Sequence, residues 1–180
     1  IKDLENGSFS TELYFRNVNN IRARIQEVYD TNVIVKRPVN AGVSNALGAE
    51  FSFNNKPTKW WVSDLGANLF YYEITGEIPG SSLDQQTFTY RGRWSNSFVL
   101  PKDWKVQFIS NYVADVVSVQ GIDKGYVSFD LAVKKDFNDG KVATTLQIRN
   151  LIASEIRETW VDTPTLYSYR MATPRWMVAA

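Results

Sequence analysis

The chain has 180 residues, with 20 Lys and Arg against 19 Asp and Glu, and it contains no His and no Cys. The length suits one domain with a sizeable core, while the net charge of +1 argues against a nucleic-acid-binding surface, which needs clustered basic charge. Without cysteine there is no disulfide, thiolate metal site or cysteine nucleophile, and without histidine the commonest general base and metal ligand are missing. We therefore expect a protein that is not an enzyme, with no catalytic residue, no metal site, no cofactor and no nucleic-acid partner.

Apolar and polar residues alternate with a period of two along most of the chain, which predicts an all-β fold. In residues 88–100 the even positions are mostly aromatic or apolar and carry no charge, whereas the odd positions are mostly small, polar or cationic. In chain order the predicted strands cover residues 9–26, 47–54, 64–71, 88–100, 104–116, 127–134, 142–149 and about 173 to the end. The phase persists through residues 17–20, so the first strand is predicted as one long strand rather than a hairpin. The pattern favours an antiparallel meander of about eight long strands.

The predicted connections are of two kinds. Three are short and rich in turn-forming residues, at 54–58, 101–103 and 138–141, and the Asp139-Gly140 step in the last is a hairpin signal. The longer connections cover residues 29–41, 78–86, 120–124 and 155–172. Short turns at one end of the strands and long loops at the other are typical of outer-membrane β-barrels.

Strand length and the placement of aromatic residues also favour a membrane barrel. Strands of soluble domains usually have about 5–6 residues, whereas a tilted strand needs about 9–11 to cross a bilayer. The centres of the apolar faces carry no charge, and the exceptions Glu27, Glu73 and Lys135 fall near predicted strand ends. The predicted girdle residues are Trp60, Trp61, Trp104 and Phe137 beside the short turns, and Tyr71, Tyr72 and Phe88 towards the longer loops. We predict a segment of a transmembrane β-barrel, with a soluble β-sandwich or barrel as the alternative.

Short motifs in a fixed order carry a resemblance to a known family. They are Asn40-Ala41-Gly42, Leu47-Gly48-Ala49-Glu50-Phe51, Pro57-Thr58-Lys59-Trp60-Trp61, Ala67-Asn68-Leu69-Phe70-Tyr71-Tyr72, Leu100-Pro101-Lys102-Asp103-Trp104, Val133-Lys134-Lys135-Asp136-Phe137 with Asp139-Gly140-Lys141, and Leu146-Gln147-Ile148-Arg149-Asn150-Leu151. Over nearly the whole chain the sequence resembles the C-terminal barrel region of TonB-dependent outer-membrane receptors of Bacteroidetes-type bacteria.

The resemblance implies a barrel of about 22 strands, of which residues 1–180 form about the last eight, as a partial outer-membrane β-barrel domain. It implies the outer membrane of a Gram-negative bacterium and TonB-dependent uptake of a glycan-like or siderophore-like nutrient. The implied partners are the lipid bilayer, the remainder of the barrel with its plug domain, the TonB complex through an N-terminal part, and a small nutrient ligand. The chain departs from the family pattern, because residues 1–180 include neither the plug with its TonB-contacting segment nor an aromatic strand end at Ala180. We therefore expect a fragment that forms a wall segment and does not transport alone.

Candidate ligand contacts lie in the last long loop, where aromatic and polar residues are mixed. They are Trp160, Tyr167, Tyr169 and Arg170. Surfaces that contact glycans or siderophores have this composition, although ordinary loop packing uses the same residue types. A soluble or surface-attached β-domain that binds carbohydrate through such aromatics is the alternative function.

Three arginines, Arg22, Arg91 and Arg93, are candidates for charge that lines the barrel lumen. They would meet an anionic substrate, or they would pair with carboxylates such as Glu12 or Asp115 inside a wet barrel. For the chain as a whole we expect a curved, open sheet with one apolar outer face, since eight strands of a wide barrel cannot close without changing tilt and shear.

Overall fold

The computed structural model describes residues 1–31, 33–79, 81–138, 141–174 and 177–179. The regular secondary structure of this part of the chain is all β-strand. The strands are β1 (Lys2–Leu4), β2 (Gly7–Asn19), β3 (Arg22–Asp30), β4 (Val33–Asn40), β5 (Val43–Thr58), β6 (Trp61–Ile78), β7 (Ser81–Leu100), β8 (Trp104–Val113), β9 (Val116–Ser118), β10 (Gly121–Asp123), β11 (Tyr126–Phe137), β12 (Val142–Arg149), β13 (Arg157–Thr163), β14 (Leu166–Ala172) and β15 (Met177–Ala179). Among the described residues there is no helix of the length and apolarity that a membrane crossing needs.

Nine strands form one antiparallel sheet in the order β1-β2-β5-β6-β7-β8-β11-β12-β15. Its longest members are β6 with 18 residues and β7 with 20, which pair from Trp61 opposite Phe98 to Ile78 opposite Ser81. Each of the eight predicted strands contributes residues to this sheet. The structure therefore confirms the predicted all-β antiparallel meander of long strands.

The two ends of the sheet differ in how the strands are connected. Short turns join β1 to β2, β5 to β6, β7 to β8 and β11 to β12 at one end, which we call the turn edge. At the other end, the loop edge, β2, β8 and β12 continue into segments that form strands of their own before the main sheet resumes. At the loop edge β6 and β7 also extend into a long hairpin. The predicted asymmetry of the connections is therefore present.

The loop-edge segments build two small sheets. Strands β3 and β4 pair as a hairpin, and β14-β13-β10-β9 form a four-stranded sheet. The predicted single strand over residues 9–26 is therefore wrong, because Asn20, with φ of 58°, ends β2 and the chain leaves the main sheet. Two residues separate β2 from β3, an even number, so the alternation keeps its phase through the break. The predicted connections 29–41 and 155–172 are wrong as plain loops, since they contain β4 and the β13–β14 hairpin.

Two predicted turn positions also differ from the structure. The turn predicted at residues 54–58 is wrong, because β5 continues to Thr58 and the chain turns at Lys59 and Trp60. A register shift between Asn55 and Thr58 takes up the extra residues around Pro57. The long connection predicted over residues 78–86 is also wrong, because β7 already begins at Ser81. The Asp139-Gly140 step lies outside the described residues.

Strand register separates the main sheet into two faces. Leu13, Ala49, Leu69 and Tyr90 lie opposite one another across four strands and form a row on the apolar face. The neighbouring row, Glu12, Glu50, Asn68 and Arg91, lies on the polar face. Large apolar side chains of the first face are open to the surroundings, and Leu13 is 79% exposed. The sheet thus has the predicted two-faced character of a half-buried β-sheet.

The packed hydrophobic core of the described residues lies at the loop edge rather than between two layers of the main sheet. Ile25 of β3, Ala41, and three residues of the β6–β7 hairpin form it, with Ile25 only 1% exposed. The three are Ile74, Ile78 and Leu83. The β3–β4 hairpin is thereby packed against the end of the main sheet, and this gives the loop edge a fixed shape.

Candidate functional site

A polar row ends the apolar face at the loop edge. Asn17, Asn45, Glu73 and Gln86 lie opposite one another on β2, β5, β6 and β7, in the same phase as the residues of the apolar face. Asn17 Nδ2 donates to Asn45 Oδ1 at 2.7 Å, and Asn45 Nδ2 donates to Glu73 Oε2 at 3.4 Å. The Tyr71 hydroxyl, one row towards the turn edge, bonds to Gln86. This row marks where the apolar face gives way to water-compatible groups.

A second polar row ends the apolar face at the turn edge. Ser63 of β6 lies opposite Asn96 of β7, and both accept hydrogen bonds from tryptophan. Trp94 Nε1 donates to Ser63 Oγ at 2.9 Å, and Trp61 Nε1 donates to Asn96 Oδ1 at 3.0 Å. Indoles that keep an apolar body and a bonded N–H are suited to the boundary between hydrocarbon and headgroups.

The distance between the two polar rows matches the height of a membrane barrel. Along β6 the step from Ser63 to Glu73 is ten residues, or about 33 Å of extended strand. At the usual strand tilt of about 40°, this corresponds to about 25 Å along the membrane normal, the height of the apolar band of outer-membrane barrels. The apolar face therefore has the height required to contact the hydrocarbon core.

Aromatic side chains gather at the turn edge. Trp60, Trp61 and Phe98 pack together with ring centroids 6.1–6.4 Å apart. On β11, Lys135 Nζ lies 5.6 Å from the Trp104 ring and 5.5 Å from the Phe137 ring, and bonds to the Lys102 carbonyl. Lys135, which lies on the apolar face, is thus held among aromatic rings at the end of its strand. At this depth the free-energy cost of a charge facing lipid is small.

At the loop edge one of the predicted girdle residues is misplaced. Tyr71 and Phe88 lie opposite each other on the apolar face, as predicted. Tyr72 lies opposite Ala46 and Thr87 on the polar face, so its assignment to the girdle is wrong. The reason is the alternation itself, since adjacent residues of a strand point to opposite faces.

The polar face lines a cavity of about 890 Å³. Arg91 and Arg93 lie on its wall, on alternate positions of β7. Arg93 Nη1 donates to Asn111 Oδ1 at 3.2 Å, and the Arg91 guanidinium lies 5.7 Å from the Phe70 ring centroid. The carboxylates on the same wall are those of Glu12, Glu50, Asp130 and Glu155. Arg22 is not part of this wall, because it begins β3 in the two-stranded hairpin.

A hydrogen-bonded network holds the polar face in one arrangement. The Tyr14 hydroxyl donates to Asn68 Oδ1 at 3.0 Å, and Asn68 Nδ2 donates to Glu50 Oε1 at 2.6 Å. The Tyr14 ring lies across Gly48, where a Cβ would come within 2.7 Å of the ring. Glycine at this position therefore makes room for an aromatic side chain that covers the strand.

The structure brings three of the four predicted ligand contacts together. Trp160, Tyr167 and Tyr169 lie on one face of the four-stranded sheet, with Trp160 and Tyr169 centroids 4.6 Å apart and Trp160 and Tyr167 centroids 6.1 Å apart. Arg170 follows Tyr169 in β14 and lies on the opposite face. Trp160 and Tyr167 line a second cavity, of about 570 Å³, between this sheet and the β6–β7 hairpin. The sequence reasoning missed Ile122, which shares this face and lines the cavity together with Asp162.

Ion pairs stabilise the loop-edge segments. Lys124 Nζ donates to Asp115 Oδ2 at 2.7 Å, and the Gly125 N–H donates to Asp115 Oδ1 at 2.7 Å. These bonds, that from Lys124 first, hold the pKa of Asp115 below its usual value. Asp115 thus joins the two ends of the β9–β10 segment, and its ion-pair partner is Lys124 rather than one of the three candidate arginines.

Burial and hydrogen bonding shift two further loop-edge groups. Burial, with a smaller effect of the Glu158 carboxylate, raises the pKa of Tyr169. The hydrogen bond to Glu155 raises the pKa of the Arg157 guanidinium, so this arginine stays charged. In the described part of the chain no cluster of three or more acidic side chains could hold a metal ion.

Comparison with known proteins agrees with this geometry. A family model described as the outer membrane protein beta-barrel family matches residues 2–177. No curated protein and no solved structure matches the chain. The match covers nearly every residue of a sheet whose apolar face has the height of the apolar band of an outer-membrane barrel. The chain therefore belongs to the outer membrane protein β-barrel family, and its location is the outer membrane of a Gram-negative bacterium.

Proposed function

We propose that this chain forms part of the wall of an outer-membrane receptor that imports a scarce nutrient with energy from the TonB complex. The observation that carries the proposal is the charged concave face behind an apolar face with the height of an outer-membrane barrel's apolar band. Narrow barrels fill their interior with packed side chains, whereas here Glu12, Glu50, Arg91 and Arg93 line an open cavity. A surface of this kind suits a wide barrel whose lumen holds water or a plug.

In this proposal, residues 1–180 are one portion of the barrel domain. The remaining strands and a plug domain complete the pore, and a segment outside this chain contacts the TonB complex. The substrate enters at the loop edge, where Trp160, Tyr167 and Tyr169 are its contacts, with Arg170 on the far side of the same hairpin. Arg91 and Arg93 act further inside, on the luminal wall. Arg22 belongs to the β3–β4 hairpin at the loop edge and has no luminal role in this scheme.

The test compares nutrient depletion from a defined medium by four strains of the source bacterium. These strains carry or lack the gene, in combination with an intact or inactivated TonB complex. We expect at least one compound to be depleted only when both are present, and the full-length product to show heat-modifiable migration in outer-membrane fractions. Depletion that continues without the TonB complex would contradict the proposal, as would recovery of the product in the soluble fraction without detergent.

The alternative of a soluble carbohydrate-binding domain is set aside, because the chain belongs to an outer-membrane family. Its binding chemistry is kept, since the aromatic face of the loop-edge sheet fits a ligand site equally well on a membrane receptor.

A further inference from the structure

The cavity at the loop edge has walls from three separate parts of the chain. The end of the β6–β7 hairpin, the segment from Val119 to Lys124, and the β13–β14 hairpin enclose about 570 Å³. This volume lies within the range of about 300–1,000 Å³ that is usual for small-molecule sites. The cavity is separate from the larger concavity on the polar face, with which it shares no lining residue.

One wall of the cavity continues into the packed core of the loop edge. Ile78 and Leu83 line the cavity and are only 9% and 4% exposed, because they also pack in the cluster around Ile25. Gln120, on a second wall, accepts a hydrogen bond from the Gln26 N–H at 2.7 Å and donates to the Gln26 carbonyl at 3.0 Å. The cavity is therefore built from parts that are already tied together, which lowers the ordering cost of binding.

The third wall is aromatic. Trp160 and Tyr167 line the cavity, and their rings meet edge to face with centroids 6.1 Å apart. Ile122, directly opposite Trp160 on β10, extends the same apolar surface. An exposed aromatic ring such as that of Tyr167 suits a ligand that presents one face of C–H groups.

An unpaired donor lies within the aromatic wall. Trp160 Nε1 is buried and has no hydrogen-bond partner among the described residues. A buried N–H without a partner is rare and costly, so each case calls for a physical explanation. Tyr167, its edge-on neighbour, is 66% exposed, which leaves the Tyr167 ring room to turn. A ligand oxygen that reaches Nε1 as that ring turns would satisfy this donor.

The charges around the cavity favour an uncharged ligand. Lys124 is the cation among its described lining residues, and it is already paired with Asp115 at 2.7 Å. Asp162 contributes a carboxylate, which repels anions and accepts hydrogen bonds from hydroxyl groups. Gln85 adds an amide that can both donate and accept. An anionic chelate would find no free cation on these walls.

From this geometry we propose that the loop-edge cavity binds the end of a neutral oligosaccharide. A sugar ring stacks on the exposed ring of Tyr167, an oxygen at its edge accepts from Trp160 Nε1 in the plane of the indole, and hydroxyl groups donate to Asp162. This inference rests on the proposed receptor function, to which it adds the class of substrate. It separates the two ligand classes, glycan and siderophore, that the sequence leaves open.

The test uses the full-length receptor, purified in detergent, on a printed array of neutral and acidic oligosaccharides. We expect binding to neutral members only. For the best binder, Trp160→Phe keeps an aromatic ring but removes the N–H, and we expect about tenfold weaker affinity, or about 1.4 kcal/mol. Trp60→Phe is the matched control, because Trp60 lies at the turn edge in the cluster with Trp61. The affinity of this variant for the oligosaccharide should equal that of the parent.

A second variant keeps the test decisive if Trp160→Phe does not fold. Tyr167 is exposed, so Tyr167→Ala should leave the heat-modifiable band intact and weaken binding by at least fivefold. The inference is overturned by binding to no neutral oligosaccharide, by preference for acidic ones, or by unchanged affinity in both variants. If the array fails while a compound that is not a sugar is depleted in a TonB-dependent way, only this inference falls. Array binding by a receptor that does not need the TonB complex would instead remove the proposed function.

Discussion

A cation placed on the apolar face provides the sharpest test of the membrane orientation. Leu13 is 79% exposed and lies in the row of Ala49 and Leu69. Leu69 is one residue from the midpoint between Ser63 and Glu73, so this row lies about 3 Å along the strand from the middle of the band. Leu13→Arg therefore puts a guanidinium near the bilayer midplane.

The expected cost follows from that depth. A lipid-facing Arg at the midplane destabilises a membrane barrel by about 2–4 kcal/mol, and the cost falls to about 0–1 near the interfaces. Ser10→Arg is the matched control, because Ser10 lies three residues earlier on the same strand but lines the polar cavity. This variant adds the same charge close to the carboxylate of Glu12, and we expect its free energy of unfolding to stay within about 0.5 kcal/mol of the parent value.

The assay is reversible unfolding of the full-length barrel in phospholipid vesicles by guanidinium, followed by tryptophan fluorescence, with heat-modifiable migration as the check on folding. We expect the free energy of unfolding to fall for Leu13→Arg and to stay near the parent value for Ser10→Arg. Equal losses in both variants, or a larger loss for Ser10→Arg, would refute the assignment of the two faces.

Three further predictions follow from single contacts. Gly48→Ala should lower the free energy of unfolding by about 1–3 kcal/mol, because the new Cβ would lie 2.6 Å from the Phe70 Cβ and 2.7 Å from the Tyr14 ring. Gly66→Ala, whose Cβ would meet nothing within 4 Å, is the control and should cost less. Asp115 has a lowered pKa in the folded protein, so its bonds to Lys124 and Gly125 contribute above its ordinary pKa of about 3.9 and are lost as the pH falls through the lowered value. Amide protection factors in residues 114–125, which correct the exchange rate for its intrinsic dependence on pH, should therefore fall in acid for the parent, and Asp115→Asn should show reduced protection already at neutral pH; a fall in acid that persists in the variant would contradict this role. Trp61→Phe removes the N–H that bonds to Asn96 and should cost about 1 kcal/mol by the same unfolding assay, whereas an unchanged value would show that the bond does not form in the membrane.

The faces of the main sheet could be predicted from the sequence because they depend only on the parity of the residue number within a strand. A break in a strand cannot be recognised from this alternation when apolar residues keep to the same odd or even positions on both sides of it. Asn20 ends β2 through a left-handed backbone, yet β3 resumes two residues later in the same phase. Likewise, Pro57 reads as a turn former, but the register shift before Thr58 accommodates it within β5.

The loop-edge site was predictable in part for the same reason. Trp160, Tyr167 and Tyr169 share a face because β13 and β14 pair in register, and Arg170 falls on the other face because it is one residue further along. If residues 155–172 had been predicted as a hairpin, the alternation of side chains along its strands would have placed Arg170 on the face opposite the three aromatic residues. The opposite wall, from Leu83 and Gln120, depends on long-range packing that no local pattern encodes.

The spacing of the two polar rows also sets the kind of bilayer in which the protein can reside. A band of about 25 Å is about 5 Å shorter than an average hydrocarbon core. Each ångström of mismatch costs a fraction of a kcal/mol, so placing the protein in a bilayer of average thickness would cost roughly 1–3 kcal/mol. Asn17, Asn45 and Glu73 at one boundary and Asn96 at the other are polar groups whose transfer into lipid would add a desolvation cost. The protein therefore matches a thin membrane, and short-chain lipids are the appropriate medium for its reconstitution.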